Sequence, residues 1–581
     1  MSLRTTDTRK RMRLTSWCIG ALFVVAAASQ AKLQIFERAS TLALAHASRR
    51  YVERRVDYAE RGSITDAEGR TLACDSAARS LGVDFARVPE TSSFFMALGQ
   101  AAGIPASELE QARGLGKPGL VCGSALTPDQ VKAVDAVKSQ WRADGVSIMR
   151  DGSRDYPLGR DASGIVGRFE AGLGATGLEA GENRDLAGTN GLLVGLADSQ
   201  GQFLPMRMDP ASKPRVDGES IQLTIDANLQ TMATEAVRSA VIANKAENGA
   251  AVVEDPSTGD ILALASWPAY DPDGAPDPNA ADESSPDFNA AIMARLQPGS
   301  TFKILTLAKG LDLGVVDPNK KIDCKGKVAL GNPRWVVHCD QHEGNHGVHG
   351  PIDALHAISE SCNVSAALWA EAIGYDRFTA YLTQLGLMGP QKIGLPGEEH
   401  GSYNTHEYAK PLQLGQFGFG QSLDATPIGL CSAFSMIGNG GVRMQPRLIE
   451  KIGDRETPIV SAGRIVSQKT ADTVLGFMQA VIETDSGTGH ALRIPGYVLA
   501  GKTGTAQKLG GATGGGFVSN FVGFVPAVRP KAIILVMINR PRAGKYYGAS
   551  VAGPVFVQIA RSVIDTYHIP PSVAVQAATA K

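Results

Sequence analysis

Three short motifs occur in a fixed order in the C-terminal half of the chain, and they restrict its fold more than any other feature. The first, Ser300–Lys303 (Ser-Thr-Phe-Lys), follows Pro298-Gly299 and precedes apolar residues, a pattern typical of a helix start. The second is Ser361–Asn363 (Ser-Cys-Asn). The third, Lys502–Gly504 (Lys-Thr-Gly), lies in a segment that is predicted to form a strand.

The first motif has the residue types and spacing of a nucleophile beside its base. Ser300 and Lys303 are three residues apart, so they share one face of a helix. A serine hydroxyl is a weak nucleophile, and a lysine that is partly desolvated or near other cations can act as its base. A helix N-terminus adds a positive dipole and a free backbone N–H at the point of attack.

The other two motifs supply groups that such a reaction needs. The Ser361 hydroxyl can relay a proton from Lys303 to a leaving amine, and the Asn363 amide can hold a substrate carbonyl. Lys502 and Thr503 can bind a substrate carboxylate on the predicted strand. Gly504 allows an acyl group to approach the strand backbone. A phosphate-binding loop is excluded here, because the glycine lead-in that such a loop requires is missing.

The N-terminus carries one uncharged apolar run, Leu14–Ala31. Its residues would span about 27 Å as a helix, enough to cross a bilayer core. Five cations precede the run, which predicts a cytoplasmic segment 1–13, a membrane anchor 14–36 and an exported remainder. A cleaved secretory signal and a buried core helix are the alternatives. The five cations are Arg4, Arg9, Lys10, Arg11 and Arg13.

Composition excludes several classes of protein. A hydrophobic share of 43% excludes a disordered chain, and a mean hydropathy of −0.06 with one apolar run excludes a polytopic membrane protein. The 57 basic and 58 acidic residues nearly balance, which gives no support for a nucleic-acid partner. Seven cysteines in 581 residues do not make a disulfide scaffold.

The order of predicted elements indicates the fold class. Residues 37–60 are expected to form an exposed helix, and 249–265 a β-hairpin around a Pro-Ser-Thr-Gly-Asp turn. Apolar helical segments follow from 300 to 480, and predicted strands return at 495–507, 517–525 and 532–539. Strands on either side of a helical region favour an antiparallel sheet covered by helices, an α/β fold of α+β-like arrangement.

Over residues 50–560 the chain resembles the class B penicillin-binding proteins, membrane-anchored peptidoglycan D,D-transpeptidases. The resemblance implies a non-catalytic, elongated pedestal of dimerisation type at 37–225, a transpeptidase domain with a penicillin-binding-protein/serine β-lactamase-like fold at 226–565, and a tail at 566–581. Beyond the three motifs it rests on Arg61–Asp66, Gly174–Glu179, Leu186–Gly188, Leu223–Asp226, Gly418–Gly420, Ala425–Pro427 and Tyr547–Phe556.

The resemblance also implies the roles of the site residues. Ser300 would be acylated by a D-Ala-D-Ala stem peptide or by a β-lactam, with Lys303 as its base and with Ser361 and Asn363 for proton relay and positioning. The amides of Ser300 and Thr505 would form the oxyanion hole, and Lys502, Thr503 and Thr505 would bind substrate. No cofactor is implied.

The same resemblance implies partners and a place in the cell. The chain would be a single-pass protein of the cytoplasmic membrane that works with a membrane-embedded glycosyltransferase and with divisome or elongasome proteins. Its length and layout favour the FtsI-type, division role over the elongation role. The alternatives are a D,D-carboxypeptidase or β-lactamase, and a non-catalytic β-lactam sensor or scaffold.

A group of cysteines and histidines lies between the first two motifs. A polar loop, a Cys324–Cys339 disulfide in an oxidising compartment and a zinc site are the possible interpretations. We predict no metal site, with Cys324, His338, Cys339 and His346 as the candidates if one exists. Cys362, where relatives often have serine, is expected to point away from the active site. The group comprises Cys324, His338, Cys339, His342, His346 and His349.

Overall fold

The structure, a computed structural model, describes twelve stretches of the chain. They form two compact units, one built from residues up to 60 together with 187–218, and one from 61–186 together with residues from 219 onwards. The described stretches are 5–32, 52–76, 79–122, 126–150, 153–170, 172–197, 203–208, 210–278, 282–340, 347–404, 410–511 and 514–572.

The first unit contains the predicted anchor. Its helix Thr5–Ala31 includes an exposed segment, Lys10–Ala31, that is long and apolar enough to cross a membrane. The rest of the predicted anchor, 33–36, lies outside the described residues.

A three-stranded antiparallel sheet completes the first unit. Its middle strand, Gly191–Ala197, pairs with Val52–Asp57 on one side and with Phe203–Met208 on the other. The helix predicted across 37–60 is therefore wrong for 52–60, and residues 37–51 lie outside the described part of the chain. The β-branched Val52 and Val56 favour a strand, and here they pair with the apolar strand Gly191–Ala197.

A five-stranded antiparallel sheet forms the centre of the second unit and positions the third motif. The predicted hairpin is present, as Asn248–Glu254 and Ile261–Trp267, and Lys502–Gly504 lies on the edge strand Ala500–Gly511. In the pairing of Ala500–Gly511 with Gly514–Val525, Gly504 lies opposite Asn520. The strand order is Ile261–Trp267, Asn248–Glu254, Ala532–Asn539, Gly514–Val525 and Ala500–Gly511.

Helices cover both faces of this sheet, which confirms the predicted fold class. Two amphipathic helices, Ala227–Ala243 and Gly548–Thr566, bury one face in a core of their own. Asp226 caps the first of them, since its carboxylate accepts the N–H of Leu229 at 2.8 Å. The helices on the other face are Lys303–Asp312, Asn363–Ile373, Pro427–Gly438 and Gln468–Glu483.

A six-stranded sheet joins distant parts of the second unit. It combines strands from 64–75, 154–155, 221–223 and 449–456. The second unit therefore includes part of the predicted pedestal 37–225. That this pedestal is a separate domain stays a prediction. The strand order is Arg455–Glu456, Ile449–Ile452, Ile221–Leu223, Ile64–Thr65, Thr71–Asp75 and Arg154–Asp155.

A buried ion-pair network holds this region together. Glu179 is fully buried, and its two carboxylate oxygens accept from Arg61 Nε at 2.6 Å and from Arg154 Nε at 3.0 Å. A buried carboxylate with two guanidinium partners is paired and hydrogen-bonded, as a charge away from water must be. Arg61 and Glu179 both belong to stretches on which the family resemblance rests.

A small α/β module with a separate core lies at 79–150. Its sheet has Arg79–Asp84 between Gly119–Cys122 and Val146–Arg150. Its helices are Ser92–Ala102, Ala106–Gly114 and Pro128–Trp141.

The remaining elements are short connections. The predicted tail is held by the core at least to Ile569, whose carbonyl accepts from the Tyr497 hydroxyl. The remaining α-helices are Ser163–Val166, Gly177–Gly181, Asn183–Ala187, Ala290–Met293, Ala354–Ser359, Tyr375–Gln384 and Lys410–Gly418. The 3₁₀ turns are Phe85–Arg87, Gly159–Asp161, Gly299–Phe302 and His490–Leu492. The short strands are Phe169–Glu170, Leu173–Gly174, Ile322–Cys324, Lys327–Ala329, Val336–His338, Gly350–Ile352, Ser402–Tyr403, Leu423–Asp424, Val442–Met444 and Ser461–Arg464.

Candidate active site

Ser300 lies in a 3₁₀ turn, Gly299–Phe302, that leads directly into the helix Lys303–Asp312. The helix start predicted at Pro298-Gly299 is therefore present, with a tighter first turn. Gly299 has a φ of +59°, which suits glycine, and its N–H donates to the Gly420 carbonyl at 2.9 Å. This contact fixes the backbone immediately before Ser300.

Lys303 is completely buried and points toward the second motif. Its Nζ donates to the Ser361 carbonyl at 2.5 Å and to the Ser361 Oγ at 3.0 Å. Burial disfavours the charged amine and lowers the pKa of Lys303 to about 8, although the carboxylate of Asp340 acts in the opposite direction. A substantial fraction of this amine is therefore neutral near physiological pH.

Ser361 lies between two lysines. Its φ of +61° is in the left-handed region that few non-glycine residues adopt. In this conformation its Oγ is 3.0 Å from Lys303 Nζ and 3.2 Å from Lys502 Nζ. One hydroxyl thus connects the first and third motifs, an arrangement suited to moving a proton between them.

Asn363 begins the helix Asn363–Ile373, two residues after Ser361. Its Nδ2 donates to the His338 carbonyl at 2.9 Å. Its Oδ1 is buried and accepts no hydrogen bond from the residues that the structure describes. That oxygen is available to a ligand, because Asn363 also lines the cavity described below.

Lys502 is also fully buried. Its Nζ donates to the Thr503 carbonyl at 3.0 Å, and burial together with the nearby Lys303 charge lowers its pKa well below the usual value. The Thr503 hydroxyl lies 3.1 Å from that of Thr488. The third motif therefore presents a desolvated amine at Lys502 and a hydroxyl at the next residue, Thr503.

Gly504 is required by close packing behind the strand. A Cβ at this position would lie 1.8 Å from the Asn520 Oδ1, an overlap that only glycine avoids. The Asn520 Nδ2 donates to the Pro298 carbonyl at 2.9 Å, so it links this strand to the turn that carries Ser300. The next residue, Thr505, accepts the Gly548 N–H at 3.0 Å through its Oγ1.

These groups meet at a cavity of about 400 Å³. Of the predicted site residues, Ser300, Ser361, Asn363, Thr503 and Thr505 line it. The amines of Lys303 and Lys502 are connected to the cavity by their hydrogen bonds to the Ser361 hydroxyl. Gly504 lies between two of the lining residues in the sequence. Its other lining residues are Gly299, Asp340, Phe419, Gln421, Thr488, Gln507, Phe517, Tyr546, Tyr547, Gly548 and Ala549.

Several of these groups were not predicted from the sequence. Asn520 is 222 residues from its partner Pro298 and Thr488 is 15 residues from Thr503, and no short motif marks either of them. An asparagine within the mostly apolar predicted strand 517–525 was the only available signal for Asn520. Asp340 and the paired rings of Phe517 and Tyr546, 4.1 Å apart between centroids, carried no signal.

The predicted metal candidates are only partly brought together. The sulfurs of Cys324 and Cys339 are 3.6 Å apart and unbonded, so the structure contains no disulfide here. His338 is exposed and outside their cluster, and His346 lies outside the described residues. Cys362 joins the two cysteines instead, with its sulfur turned into the core as expected.

Both the N-terminal and the C-terminal part of the chain match a known protein family. Residues 249–561 match the penicillin-binding protein transpeptidase domain, and residues 56–223 match the penicillin-binding protein dimerisation domain. Together these two matches cover most of the sequence, and the first alone covers more than half.

Curated relatives match along nearly the whole chain. It is 30% identical to the probable peptidoglycan D,D-transpeptidase PenA of Neisseria gonorrhoeae, over 90% of this chain and 87% of that protein. It is 28% identical to the peptidoglycan D,D-transpeptidase FtsI of Escherichia coli K12, over 88% of this chain and 84% of that protein.

Solved structures share the fold. Penicillin-binding protein 3 of Mycobacterium tuberculosis in complex with aztreonam superposes with a TM-score of 0.67 at 24% identity, covering 90% of this chain and 99% of that one. Penicillin-binding protein 2X of Streptococcus thermophilus superposes with a TM-score of 0.72 at 24% identity, covering 89% of this chain and 80% of that one. With its three motifs at one cavity and both domain types present, the chain belongs to the class B penicillin-binding proteins.

Proposed function

We propose that this chain is a serine D,D-transpeptidase that cross-links peptidoglycan stem peptides through an acyl-enzyme at Ser300. The observation that carries the proposal is the buried Lys303 amine, held by the Ser361 hydroxyl and one turn from Ser300 at the cavity. Relatives named as peptidoglycan D,D-transpeptidases support the choice of reaction.

In the acylation step the Ser300 Oγ attacks the penultimate carbonyl of a D-Ala-D-Ala terminus. Neutral Lys303 takes the hydroxyl proton, and the new ester forms as the peptide bond to the terminal D-alanine breaks. The proton passes through the Ser361 Oγ to the leaving nitrogen, so D-alanine leaves as a neutral amine and not as an amide anion. The backbone amides of Ser300 and Thr505 stabilise the tetrahedral oxyanion.

Substrate binding falls to the third motif. The terminal carboxylate would be held by Lys502, Thr503 and Thr505, and its negative charge would favour the charged form of the buried Lys502 amine. The free Oδ1 of Asn363 would accept an amide N–H of the stem peptide. In the second step, an amine of a neighbouring stem attacks the ester, forms the cross-link and regenerates Ser300.

β-Lactams would acylate the same serine. Their strained amide carbonyl takes the place of the penultimate carbonyl, and their carboxylate takes the place of the terminal one. The cyclic amine stays attached after ring opening and hinders the incoming acceptor.

Product analysis tests the reaction. Purified chain supplied with uncross-linked glycan and an acceptor strand is expected to give dimeric muropeptides and D-alanine, and Ser300→Ala is expected to give neither. Ser239→Ala, an exposed serine on the helix Ala227–Ala243, is the matched control and should retain both products. D-Alanine release without dimers would identify a D,D-carboxypeptidase, and neither product with wild type would favour a sensor or scaffold.

We further propose a division role with the N-terminus in the cytoplasm. The length and layout of the chain support the division role, and the cations before Leu14 support the orientation. The partners would then be a membrane-embedded glycosyltransferase and other division proteins. A tagged copy should concentrate at mid-cell. Uniform lateral staining would favour elongation, and an alkaline phosphatase fusion after residue 60 that is inactive would contradict the orientation.

A further inference from the structure

We propose that Cys324, Cys339, His349 and Cys362 form a structural zinc site directly behind the second motif. Their ligand atoms all lie within 4.8 Å of one another. Three cysteines and one histidine are a common ligand set for structural Zn²⁺.

The distances among these atoms fit a tetrahedral ion. Zn–S and Zn–N bonds of usual length place two sulfurs about 3.8 Å apart and a sulfur and a nitrogen about 3.5 Å apart. The Cys324 and Cys339 sulfurs are 3.6 Å apart, and those of Cys339 and Cys362 are 3.7 Å apart. The His349 Nδ1 lies 3.4 Å from the Cys324 sulfur.

Backbone structure holds the ligands in place. Cys324 ends the strand Ile322–Cys324, which pairs with Gly350–Ile352 next to His349. The Cys339 N–H donates to the Gly326 carbonyl at 2.9 Å. Cys362 precedes the helix Asn363–Ile373 as its N-cap residue. The ligands thus come from four segments, which a bound ion would tie together.

The surroundings of the sulfurs favour thiolates. The Cys362 sulfur accepts from the Ser365 N–H at 3.4 Å and from the Ser365 hydroxyl at 3.3 Å. Donors of this kind stabilise metal-bound sulfur. All three cysteines are buried and His349 is half-buried, so four protein ligands leave no position for water or substrate. Binding would deprotonate the thiols, and the role would be structural.

The site would stabilise the active-site geometry. Cys362 lies between Ser361 and Asn363, and the Asn363 amide is bonded to the carbonyl of His338, the residue before Cys339. An ion that fixes Cys339 and Cys362 therefore also fixes both motif residues. This consequence rests on the proposed function, whereas metal binding itself does not.

The first test measures metal in the full chain, purified in detergent without chelator. We expect about one zinc per chain in wild type and in Ser300→Ala, which separates this proposal from the catalytic one. With Co²⁺ in place of zinc, the protein should show the strong visible absorption of tetrahedral thiolate coordination. After denaturation with chelator, all seven cysteines should react as thiols. Absence of zinc, iron in its place, or two thiols fewer through a Cys324–Cys339 disulfide would overturn the proposal.

The second test removes one ligand. Cys324→Ser is expected to lose the zinc, while Cys431→Ser, a matched buried cysteine whose sulfur contacts the Val252 carbonyl, should keep it. Cys324→Ser should also acylate with penicillin more slowly. Full zinc content in Cys324→Ser would overturn the proposal. If that variant does not fold, the zinc content and the Co²⁺ spectrum of wild type still test the proposed zinc site.

Discussion

The buried Lys303 amine determines how the site responds to pH. Its neutral form is the base, and burial lowers its pKa to about 8, so the neutral fraction rises with pH and levels off above that value. The rate of penicillin acylation should therefore fall about tenfold per pH unit well below pH 8. Stopped-flow acylation between pH 5.5 and 9.5 measures this profile.

Two arginine variants check the assignment of that profile. Lys303→Arg should abolish acylation, because an arginine stays protonated. Lys309→Arg, in the same helix and over the Tyr381 ring, should leave the profile unchanged. A flat profile in wild type would contradict the role of Lys303 as base.

Glu254 is a second buried group, in the core and not at the cavity. Burial raises its pKa to about 8, partly offset by the Ser435 hydroxyl and the Arg443 charge. The folded state thus holds a proton that the unfolded state releases above its ordinary pKa of 4.5. The free energy of unfolding should therefore fall by up to about 1.4 kcal/mol per pH unit until pH 8, then level off.

Removing the carboxylate tests that linkage. The difference in unfolding temperature between Glu254→Gln and wild type should grow in favour of Glu254→Gln as the pH rises from 5 to 8. Glu456→Gln, at an exposed position, should follow the wild-type curve. A constant difference between Glu254→Gln and wild type across this range would show that Glu254 does not titrate there.

At the residue scale, the sequence predicted the chemical groups better than their contacts. Ser300, Lys303 and Ser361 were identified because a nucleophile, a base and a relay require particular residue types at short spacings. The left-handed backbone of Ser361 could not be predicted, because most residues with that conformation are glycines. The contact of Asn520 with Pro298 depends on strand register, which no local pattern encodes.

At the element scale, the edge strand requires glycine at one position. In Gly504→Ala the new Cβ would displace Asn520 and, through it, the Pro298 carbonyl before Ser300. A shift of about 1 Å at a reacting group costs about a hundredfold in rate, and we expect a loss of that order in acylation. Penicillin labelling kinetics measure it.

A second glycine in a regular element serves as the control. Gly476 lies exposed in the helix Gln468–Glu483, with nothing within 4 Å of an added Cβ. Gly476→Ala should raise the free energy of unfolding by about 0.5–1 kcal/mol and leave labelling unchanged. Equal labelling rates in Gly504→Ala and Gly476→Ala would contradict the packing role of Gly504.

Elements with strong local signals were predicted well. The hairpin at 248–267 was predicted because two apolar runs flank a turn of Pro, Ser, Thr, Gly and Asp. The strand Val52–Asp57 was missed because its partner, Gly191–Ala197, lies far away in the sequence. The six-stranded sheet was missed for the same reason, since its strands are two to five residues long and come from four regions.

At the scale of the whole molecule, the sheet and its helices bring together motifs that are 58 or more residues apart in the sequence. The anchor helix belongs to the first compact unit, whereas every site residue belongs to the second. A chain lacking residues 1–36 should therefore leave the membrane fraction and still be labelled by penicillin. Wild type that is released from membranes by an alkaline wash would contradict the anchor.

The most direct test of the account is to locate the covalent adduct. Wild type treated with penicillin should gain the mass of one opened β-lactam, and peptide mapping should place it on Ser300. Ser300→Ala should gain no mass, while Ser239→Ala should be modified like wild type. An adduct on another residue, or an equal gain of mass in Ser300→Ala, would contradict the assignment of Ser300 as the nucleophile.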